Sequence, residues 1–152
     1  MISDTHFDEQ PVRRRKLSGM GAEELDMLIE RNWRECVGED DIVWHLGDIG
    51  KGWRRLKSLP GRKQLILAHA PDRRSAIRTS GVFETIQETG TLEHAGRTFL
   101  LIHNPDELAD GTAAAVIHGH HHYAAPAPGH YSVCVDHWGW APVTLDALIA
   151  SS

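Results

Sequence analysis

The sequence predicts an α/β domain of layered helices and sheets, and three observations indicate this class. Short apolar strands alternate with short helices in the first half of the chain, and the second half is richer in strand patterns. Buried runs and hairpin-like pairs both occur among these strands, as is typical of layered α/β folds. The 152 residues suffice for one sizeable core and are too few for two ordinary domains. We therefore expect a single domain over residues 1–152.

The first half is predicted to alternate strands and helices. Apolar residues recur at helical spacing after Gly21, while uninterrupted apolar runs indicate buried strands. The predicted order is a strand stub at Ile2-Ser3, a helix from Ala22 to Cys36, a strand from Asp41 to Leu46, a short helix from Trp53 to Leu59, a strand from Gln64 to Leu67 and a short helix from Arg73 to Thr79.

The second half is predicted to consist mainly of strands. Thr89-Gly90 is interpreted as a break between two of them, and Asp146 as the N-cap of a final short helix. The predicted strands run from Phe83 to Gln87, Thr91 to His94, Arg97 to Ile102, Ala114 to Ile117, Tyr131 to Val135 and Pro142 to Leu145, the last two as a closing pair.

Composition argues against several classes of protein. Hydrophobic residues make up 41% of the chain, yet no apolar run approaches the roughly 20 residues of a membrane span, and the N-terminus lacks secretory features. Cys36 and Cys134 have neither metal-type spacing nor a disulfide pattern, so we expect a cytoplasmic protein without membrane contact. The net charge of −5 argues against stable nucleic-acid binding, although residues 13–16 form a local basic run.

Four polar clusters follow strands that are predicted to be buried. They are Asp4 with His6, Gly47 with Asp48, His103 with Asn104, and the run Gly119-His120-His121-His122. Loops at strand ends converge in a layered sheet, so clusters that are distant in sequence can meet in one site. Gly119 allows the backbone to turn sharply before imidazoles that are two residues apart.

The residue types in these clusters predict a metal centre. The chain has 11 histidines, and mixed carboxylate and imidazole ligands suit Mn²⁺, Fe or Zn²⁺ better than Ca²⁺ or Mg²⁺ alone. Six candidate ligands are too many for one tetrahedral site and match two ions that share a carboxylate. Two such ions, about 3.5–4 Å apart, would polarise phosphoryl oxygens and generate hydroxide from a bridging water at neutral pH.

The ordered motifs resemble those of the calcineurin-like metallophosphoesterases, in particular the small phage and bacterial branch. A single Asp-x-His pair would carry little weight, whereas an ordered set over nearly the whole chain is specific. The matching segments are Asp4-Thr5-His6-Phe7, Asn32-Trp33, residues 41–48 and 61–67, His103, Gly119-His120-His121-His122, Val133-Cys134-Val135-Asp136, Trp138 and residues 142–145.

The resemblance implies a four-layer αββα fold, in which two mixed β-sheets pack face to face between helices. It implies a metal-dependent phosphoesterase. Because a chain of 152 residues has little material for a lid, we expect an open site that suits phosphodiesters, of nucleotide-like or cyclic nucleotide type, better than monoesters. Two divalent ions are implied as cofactors, Mn²⁺ first, with Fe, Zn²⁺ or Ni²⁺ as alternatives. The implied ligands are Asp4, His6, Asp48 and His122 for one ion, and Asp48 as a bridge, His103 and His120 for the other.

The third motif departs from the family pattern. Where Gly-Asn-His-Asp is expected, the chain has Ala68-His69-Ala70-Pro71-Asp72, so the histidine that assists the leaving group is absent from its usual place. His69 is a candidate replacement as ligand or proton donor, and it joins Asp48 and His120 as a catalytic candidate. The alternative is weak binding of the second metal and reduced activity.

Further polar residues are interpreted as substrate contacts or as structural groups. Arg73, just beyond the altered motif, and His121 are candidate contacts to the substrate. The basic run at residues 13–16 is expected to form a solvated face or loop, or alternatively to overhang the site and attract a polyanion. Structural roles are expected for His45, His94, His118, His130 and His137.

Two rival functions belong to other classes. A degenerate metallophosphoesterase-like domain would bind phosphate compounds or a protein partner without turnover, and the altered third motif supports it. A structural zinc domain is disfavoured, because such sites use closed sets of Cys and His, whereas these clusters contain carboxylates. Removal of the metal by a chelator separates these cases. A protein with a catalytic metal centre would lose activity and keep its fold, whereas a protein with a structural metal would unfold.

Overall fold

Two β-sheets and four α-helices make up the part of the chain that the structure describes, residues 1–9, 11–68, 74–109 and 115–151 of a computed structural model. The helices are α1 (Val12–Ser18), α2 (Ala22–Cys36), α3 (Arg74–Arg78) and α4 (Leu145–Ala150). The strands are β1 (Ile42–His45), β2 (Arg62–Ile66), β3 (Thr85–Gln87), β4 (Thr89–His94), β5 (Arg97–Ile102), β6 (Ala115–His118) and β7 (His130–Ser132). Short 3₁₀ helices cover Trp53–Ser58, Pro105–Glu107 and Val135–His137.

The two sheets differ in strand direction. The first sheet has three parallel strands in the order β1-β2-β3. The second has four strands in the order β4-β5-β6-β7, in which β4 and β5 form an antiparallel hairpin and the other pairs are parallel. The mixed α/β class predicted from the sequence is confirmed, since parallel pairs with long connections coexist with a hairpin.

The N-terminal segment connects the two sheets. Ile2 forms a parallel bridge with His45 of β1, and Ser3 forms one with Cys134, just after β7. The predicted strand stub is therefore confirmed as two single-residue bridges. The loop that begins at Asp4 consequently starts where the ends of both sheets meet.

The core consists of two hydrophobic clusters on opposite faces of the first sheet. Leu65 of β2 joins α2 residues such as Trp33 in one cluster, whereas the next residue, Ile66, joins Phe99 and Ile117 of the second sheet in the other. Successive side chains of a strand point to opposite faces, so β2 is covered on both sides. This agrees with the uninterrupted apolar run Leu65-Ile66-Leu67 at the end of the strand, whereas its first three residues, Arg62 to Gln64, are polar.

Thr89 and Gly90 lie inside β4, so the break predicted at these residues was wrong. β3 and β4 are separated by Glu88 alone, yet they belong to different sheets. Gly90 pairs with Leu101 of β5, and a Cβ atom at Gly90 would lie 3.3 Å from Ile66 Cδ1. Glycine therefore serves close packing between the sheets here, which turn propensity does not reveal.

The closing strand pair predicted from Tyr131 to Val135 and from Pro142 to Leu145 does not form. β7 ends at Ser132, and Val143 exchanges hydrogen bonds with the N-terminal residue instead. Val143 N–H donates to Met1 O at 2.8 Å, and the N-terminal ammonium donates to Val143 O at 2.6 Å. The segment around Val143 thus pairs with Met1 and not with β7. Local sequence patterns do not reveal this pairing, because the two residues are 142 positions apart.

Thr144, and not Asp146, is the N-cap of α4. The Thr144 hydroxyl accepts from Ala147 N–H at 3.2 Å, which satisfies an amide that has no partner within the helix. Asp146 lies in the first turn, where a carboxylate interacts favourably with the helix dipole. Both residue types suit a helix start, and the preceding backbone conformation decided between them.

Candidate metal centre

Four of the six predicted ligands have left-handed backbone conformations. The φ angle is 56° at Asp4, 47° at His6, 48° at Asp48 and 68° at His120. Residues other than glycine rarely adopt positive φ, and such conformations concentrate at functional sites. Two of the loops hold each other in place, because Asp4 N–H donates to Gly47 O and His6 N–H donates to Asp48 O, both at 3.0 Å.

Asp4, His6 and His122 form a first ligand group. Their candidate ligand atoms lie within 4.8 Å of one another, and His122 Nε2 is 3.5 Å from Asp4 Oδ1. Asp4 is fully buried, and both of its carboxylate oxygens accept from the backbone N–H of His120, at 3.2 and 3.0 Å. The first and fourth motifs therefore meet in space.

Asp48, His103 and His120 form a second ligand group, and their candidate ligand atoms also lie within 4.8 Å of one another. His103 Nε2 lies 3.6 Å from Asp48 Oδ2, while His103 Nδ1 donates to the backbone carbonyl of Leu46 at 2.6 Å. A Cβ atom at Gly47 would lie 2.7 Å from His103 Nδ1, so glycine is required for the ring to approach this closely.

Asp48 stands between the two ligand groups. Its Oδ2 atom, 3.6 Å from His103 Nε2, is also 3.7 Å from His6 Nε2 of the first group. Burial opposes ionisation of Asp48, but hydrogen bonding to His103 and the nearby imidazoles outweigh it and lower its pKa to about 2. The six residues singled out in the sequence thus share one centre, with an ionised carboxylate in its middle.

The buried imidazoles have opposite electrostatic environments. Burial lowers the pKa of His6, and the Arg14 guanidinium lowers it further. For His103 burial acts in the same direction, but the hydrogen bond to Asp48 and the Asp4 charge outweigh it and raise the pKa. His6 is therefore held neutral, as a metal ligand must be, whereas His103 is protonated more readily and must lose the proton on Nε2 before that atom can bind a metal.

The donor atoms fit divalent transition metals. His6 Nε2 is buried and has no hydrogen-bond partner among the described residues, although it faces the Asp48 carboxylate. A buried imidazole nitrogen without a partner is costly unless a ligand satisfies it. Nitrogen and carboxylate oxygen donors in two groups of three are the set that Mn²⁺, Fe or Zn²⁺ binds.

His45 and His118, for which structural roles are predicted, each form one hydrogen bond within the protein through one ring nitrogen. His45 is fully buried, and its Nε2 donates to Thr5 Oγ1 at 3.1 Å, while the Thr5 hydroxyl donates to Ile49 O. Burial lowers the pKa of His45 to about 3. His118 Nδ1 donates to Gly119 O at 2.8 Å, and burial lowers the pKa of His118 to about 4.

Arg14 and Asp136 were missed as members of the site. The basic run was expected to form a solvated face or loop, or to overhang the site, but Arg14 is fully buried in α1 and ion-paired with Asp136, whereas Lys16 is exposed. Asp136 Oδ2 also accepts from His122 Nδ1 at 2.7 Å. One sequence pattern could have identified Asp136: like the predicted ligands, it directly follows a buried apolar run.

The predicted substrate-contact residues have different outcomes. His121 Nε2 donates to the exposed carboxylate of Asp106 at 3.1 Å, and its ring lies 5.4 Å from that of His120. His69 and Arg73 lie outside the described residues. A cavity of about 370 Å³ opens beside His122, with Leu17, Met20, Tyr123 and Trp140 in its wall.

Comparisons with known proteins give relatives over nearly the whole chain. No protein-family model matches the sequence. The gene 66 protein of Mycobacterium phage L5 is 27% identical over 90% of this chain and 86% of its own length. The crystal structure of the protein of unknown function AQ665 from Aquifex aeolicus shares the fold, with a TM-score of 0.74 at 22% identity over 99% of this chain and 97% of that one.

No helix in the described part of the chain is long and apolar enough to cross a bilayer.

The uncharacterized protein MJ1445 of Methanocaldococcus jannaschii is 30% identical, and the match covers 98% of this chain and 88% of that protein. Agreement at this level along almost both entire sequences shows common descent, so the chain belongs to the family of MJ1445.

Proposed function

We propose that this protein is a metal-dependent phosphoesterase that hydrolyses phosphodiesters of nucleotide-like or cyclic nucleotide type. The observation that carries the proposal is the position of Asp48, whose Oδ2 atom lies 3.7 Å from His6 Nε2 and 3.6 Å from His103 Nε2. A single carboxylate between two groups of ligands is the arrangement that two ions sharing a ligand require.

The proposed cofactors are two divalent ions, Mn²⁺ first, with Fe, Zn²⁺ or Ni²⁺ as alternatives. When bound, such ions supply Lewis-acid polarisation of the phosphoryl group and a water nucleophile at neutral pH. One ion would be held by Asp4, His6 and His122, and the other by His103 and His120, with Asp48 shared.

The residues of the chain prepare this centre before a metal binds. Asp48 is ionised at neutral pH, because the surrounding imidazoles lower its pKa to about 2 despite burial. His103 uses Nδ1 as a donor to Leu46 O, so the lone pair of its neutral ring is on Nε2, the atom that faces Asp48. Charge and lone pairs therefore converge on the space between the two groups.

The four-layer αββα arrangement is part of the same proposal. It is supported by the first sheet, one face of which packs in a cluster with α2 and the other with residues of the second sheet. In this arrangement the loop that carries Asp4 and His6 lies at the edge where both sheets end.

His69 is proposed as the proton donor to the leaving group, and Arg73 and His121 as contacts to the substrate.

The surroundings of the centre favour an organic diester as substrate. The cavity of about 370 Å³ beside His122 is large enough for a planar organic group, and its wall includes Trp140 and Tyr123. A second cavity, of about 250 Å³, lies on the side of His103. The two cavities adjoin different ligand groups, since His122 lines one and His103 lines the other, and a diester has two organic substituents to place where a monoester has one.

A non-catalytic binding domain is the second candidate. It is favoured by one observation, the altered third motif: a gapless match puts Ala70 and Pro71 at the asparagine and histidine of the resembling family, one inserted residue puts His69 at the asparagine, and on both alignments the histidine is missing. The two functions differ in turnover, because a domain of this kind would bind metal and phosphate compounds without hydrolysing them.

The test is hydrolysis of bis(p-nitrophenyl) phosphate with added Mn²⁺, comparing wild type with Asp48→Asn. The variant is expected to lose at least about 100-fold in kcat/KM, since several kcal/mol of charge stabilisation depend on the metal ions. Asp146→Asn is a matched control, because Asp146 also accepts from a histidine, His94, but on the exposed surface. Turnover that is equal in wild type and Asp48→Asn contradicts the proposal, and absent turnover with Mn²⁺ bound favours the binding domain.

A further inference from the structure

A buried ion pair lies behind the first ligand group and contributes none of the six predicted ligands. The Arg14 side chain is 0% exposed and that of Asp136 is 6% exposed. The two form a fork, with Arg14 Nε donating to Asp136 Oδ1 at 2.9 Å and Nη2 donating to Oδ2 at 2.5 Å. A two-pronged pair of this kind fixes orientation as well as charge.

The same guanidinium holds the loop that carries the first motif. Arg14 Nη2 donates to Asp4 O at 2.6 Å, and Nη1 donates to Thr5 O at 3.3 Å. Both carbonyls belong to the stretch whose backbone has positive φ at Asp4 and at His6. Backbone in this conformation persists only where the surroundings enforce it, and Arg14 supplies such a constraint from α1.

Counting hydrogens on Arg14 Nη2 assigns the tautomer of His122. Nη2 carries two hydrogens, and its two shortest contacts are Asp136 Oδ2 at 2.5 Å and Asp4 O at 2.6 Å. No hydrogen is then left for His122 Nδ1, which lies 3.0 Å from Nη2. The Cys134 thiol, a weak donor, is 3.6 Å from Nδ1, whereas Asp136 Oδ2 is only 2.7 Å away and accepts only, so His122 Nδ1 carries the proton and donates it to Asp136.

This tautomer leaves the lone pair of His122 on Nε2, which is 3.5 Å from Asp4 Oδ1 and turned to the first ligand group. The second group is arranged by different means, since His103 Nδ1 donates to the backbone carbonyl of Leu46. A side chain thus orients the histidine of one group and the main chain orients the histidine of the other. Substitutions at the ion pair should therefore affect the two groups unequally.

We propose that Arg14 and Asp136 are positioning residues that fix the Nδ1–H tautomer of His122 and anchor the Asp4 loop, so that the first ligand group is formed before metal binds. A buried ion pair stabilises a fold weakly, because desolvation offsets most of its attraction. Outer partners of metal-binding histidines typically change metal affinity about 10- to 100-fold when they are replaced. The inference rests on the proposed function for the identity of the ligands, but not for the tautomer.

The first measurement is the ¹⁵N–¹H spectrum of the imidazole rings in metal-free protein, at a pH well above the pKa of a free imidazole. Wild-type His122 is expected to carry its proton on Nδ1. In Asp136→Asn the amide nitrogen can face His122 and donate to Nδ1, so the proton is expected to move to Nε2. Arg14→Lys retains the Asp136 carboxylate and is expected to keep the wild-type tautomer. A wild-type His122 protonated on Nε2 overturns the proposal, whether or not any variant folds.

The second measurement is calorimetric titration with Mn²⁺ alone. Wild type is expected to bind two ions, and Asp136→Asn and Arg14→Lys are each expected to weaken one site about 10- to 100-fold and to leave the other unchanged. Comparison with His122→Ala and His103→Ala identifies which site is weakened. Asp146→Asn, which breaks the exposed His94–Asp146 pair of 2.6 Å, should match wild type.

The outcomes separate this inference from the proposed function. Wild-type affinity at both sites in Asp136→Asn, with an unchanged His122 tautomer, overturns the positioning role. The expected tautomers and a weakened first site in a protein without esterase activity support the positioning role and contradict only the proposed function.

Discussion

Gly119 packs directly against the Asp4 carboxylate: a Cβ atom at Gly119 would lie 2.5 Å from Asp4 Oδ2. The φ angle of Gly119 is not among the positive values, so this glycine is required for space rather than for backbone conformation. The contact joins the fourth motif to the first and allows the next backbone amide, that of His120, to reach the same carboxylate.

Gly119→Ala is expected to displace Asp4 and weaken metal binding in the first ligand group. Crowding of this kind destabilises a core by about 1–3 kcal/mol, and we expect a similar loss of unfolding free energy in urea. Gly38→Ala is the matched control, because its added Cβ would meet Asp41 Oδ2 at an ordinary 3.5 Å. Equal Mn²⁺ affinity in both variants would contradict the role assigned to the Gly119 contact.

His45 is expected to make the metal-free protein less stable as the pH falls. Burial lowers its pKa from 6.5 to about 3, so between these values the unfolded state binds more protons than the folded state. The resulting stability is fully present above pH 6.5 and is lost as the pH falls towards 3, by at most about 1.4 kcal/mol per pH unit.

The measurement is urea unfolding of the metal-free protein at several pH values in this range. His45→Gln should flatten the slope, because the amide can still donate to Thr5 but does not titrate. His118, whose pKa burial lowers to about 4, contributes in the same direction and remains in that variant. An unchanged slope in His45→Gln would show that His45 titrates normally in the folded protein.

Removal of metal by a chelator is expected to abolish hydrolysis and to leave the fold intact. The two hydrophobic clusters contain buried side chains such as Trp33, Leu65, Phe99 and Ile117, none of which belongs to the ligand groups. Near-ultraviolet circular dichroism of the tryptophans should therefore be retained, and activity should return when Mn²⁺ is added. Loss of the spectrum together with activity would identify the metal as structural.

His121→Ala is expected to raise KM for a phosphodiester with little change in kcat. His121 lies next to the centre, but its Nε2 donates to the exposed carboxylate of Asp106 and the residue belongs to neither ligand group. A group that contributes equally to binding of the ground state and the transition state changes KM alone. Asp106→Ala, which frees His121 without removing it, serves as the comparison, and a fall in kcat for His121→Ala would assign it a part in the chemical step.

Periodic patterns in the sequence predicted the elements whose environment is uniform. α2 was predicted at the bounds observed, Ala22–Cys36, because one apolar face at helical spacing is a local property of the chain. β1 and the end of β2 were recognised as buried strand from their apolar runs, since a strand covered on both faces is apolar on both, whereas the polar first half of β2 was not predicted as strand. The polar clusters that follow strands could be expected to converge, because loops at one edge of a sheet are neighbours.

The residues that hold the ligands in place could not be identified from local patterns. Arg14 belongs to a run of basic residues that is typical of a solvated face, and its burial depends on Asp136, which is 122 positions away. Gly90 was interpreted as part of a break between strands, but close packing against Ile66 accounts for it. In each case the deciding partner is distant in sequence, so no window of neighbouring residues contains it.

The sequence by itself determined the α/β class, the helix α2, the buried strands and the six residues that meet in one centre. Only the tertiary structure decided that the N-terminal stub joins both sheets, that Val143 pairs with Met1, and that Arg14 and Asp136 stand behind His122. The physical reason is that periodicity and turn chemistry act between near neighbours, whereas charge pairing and close packing act between whichever residues folding brings together.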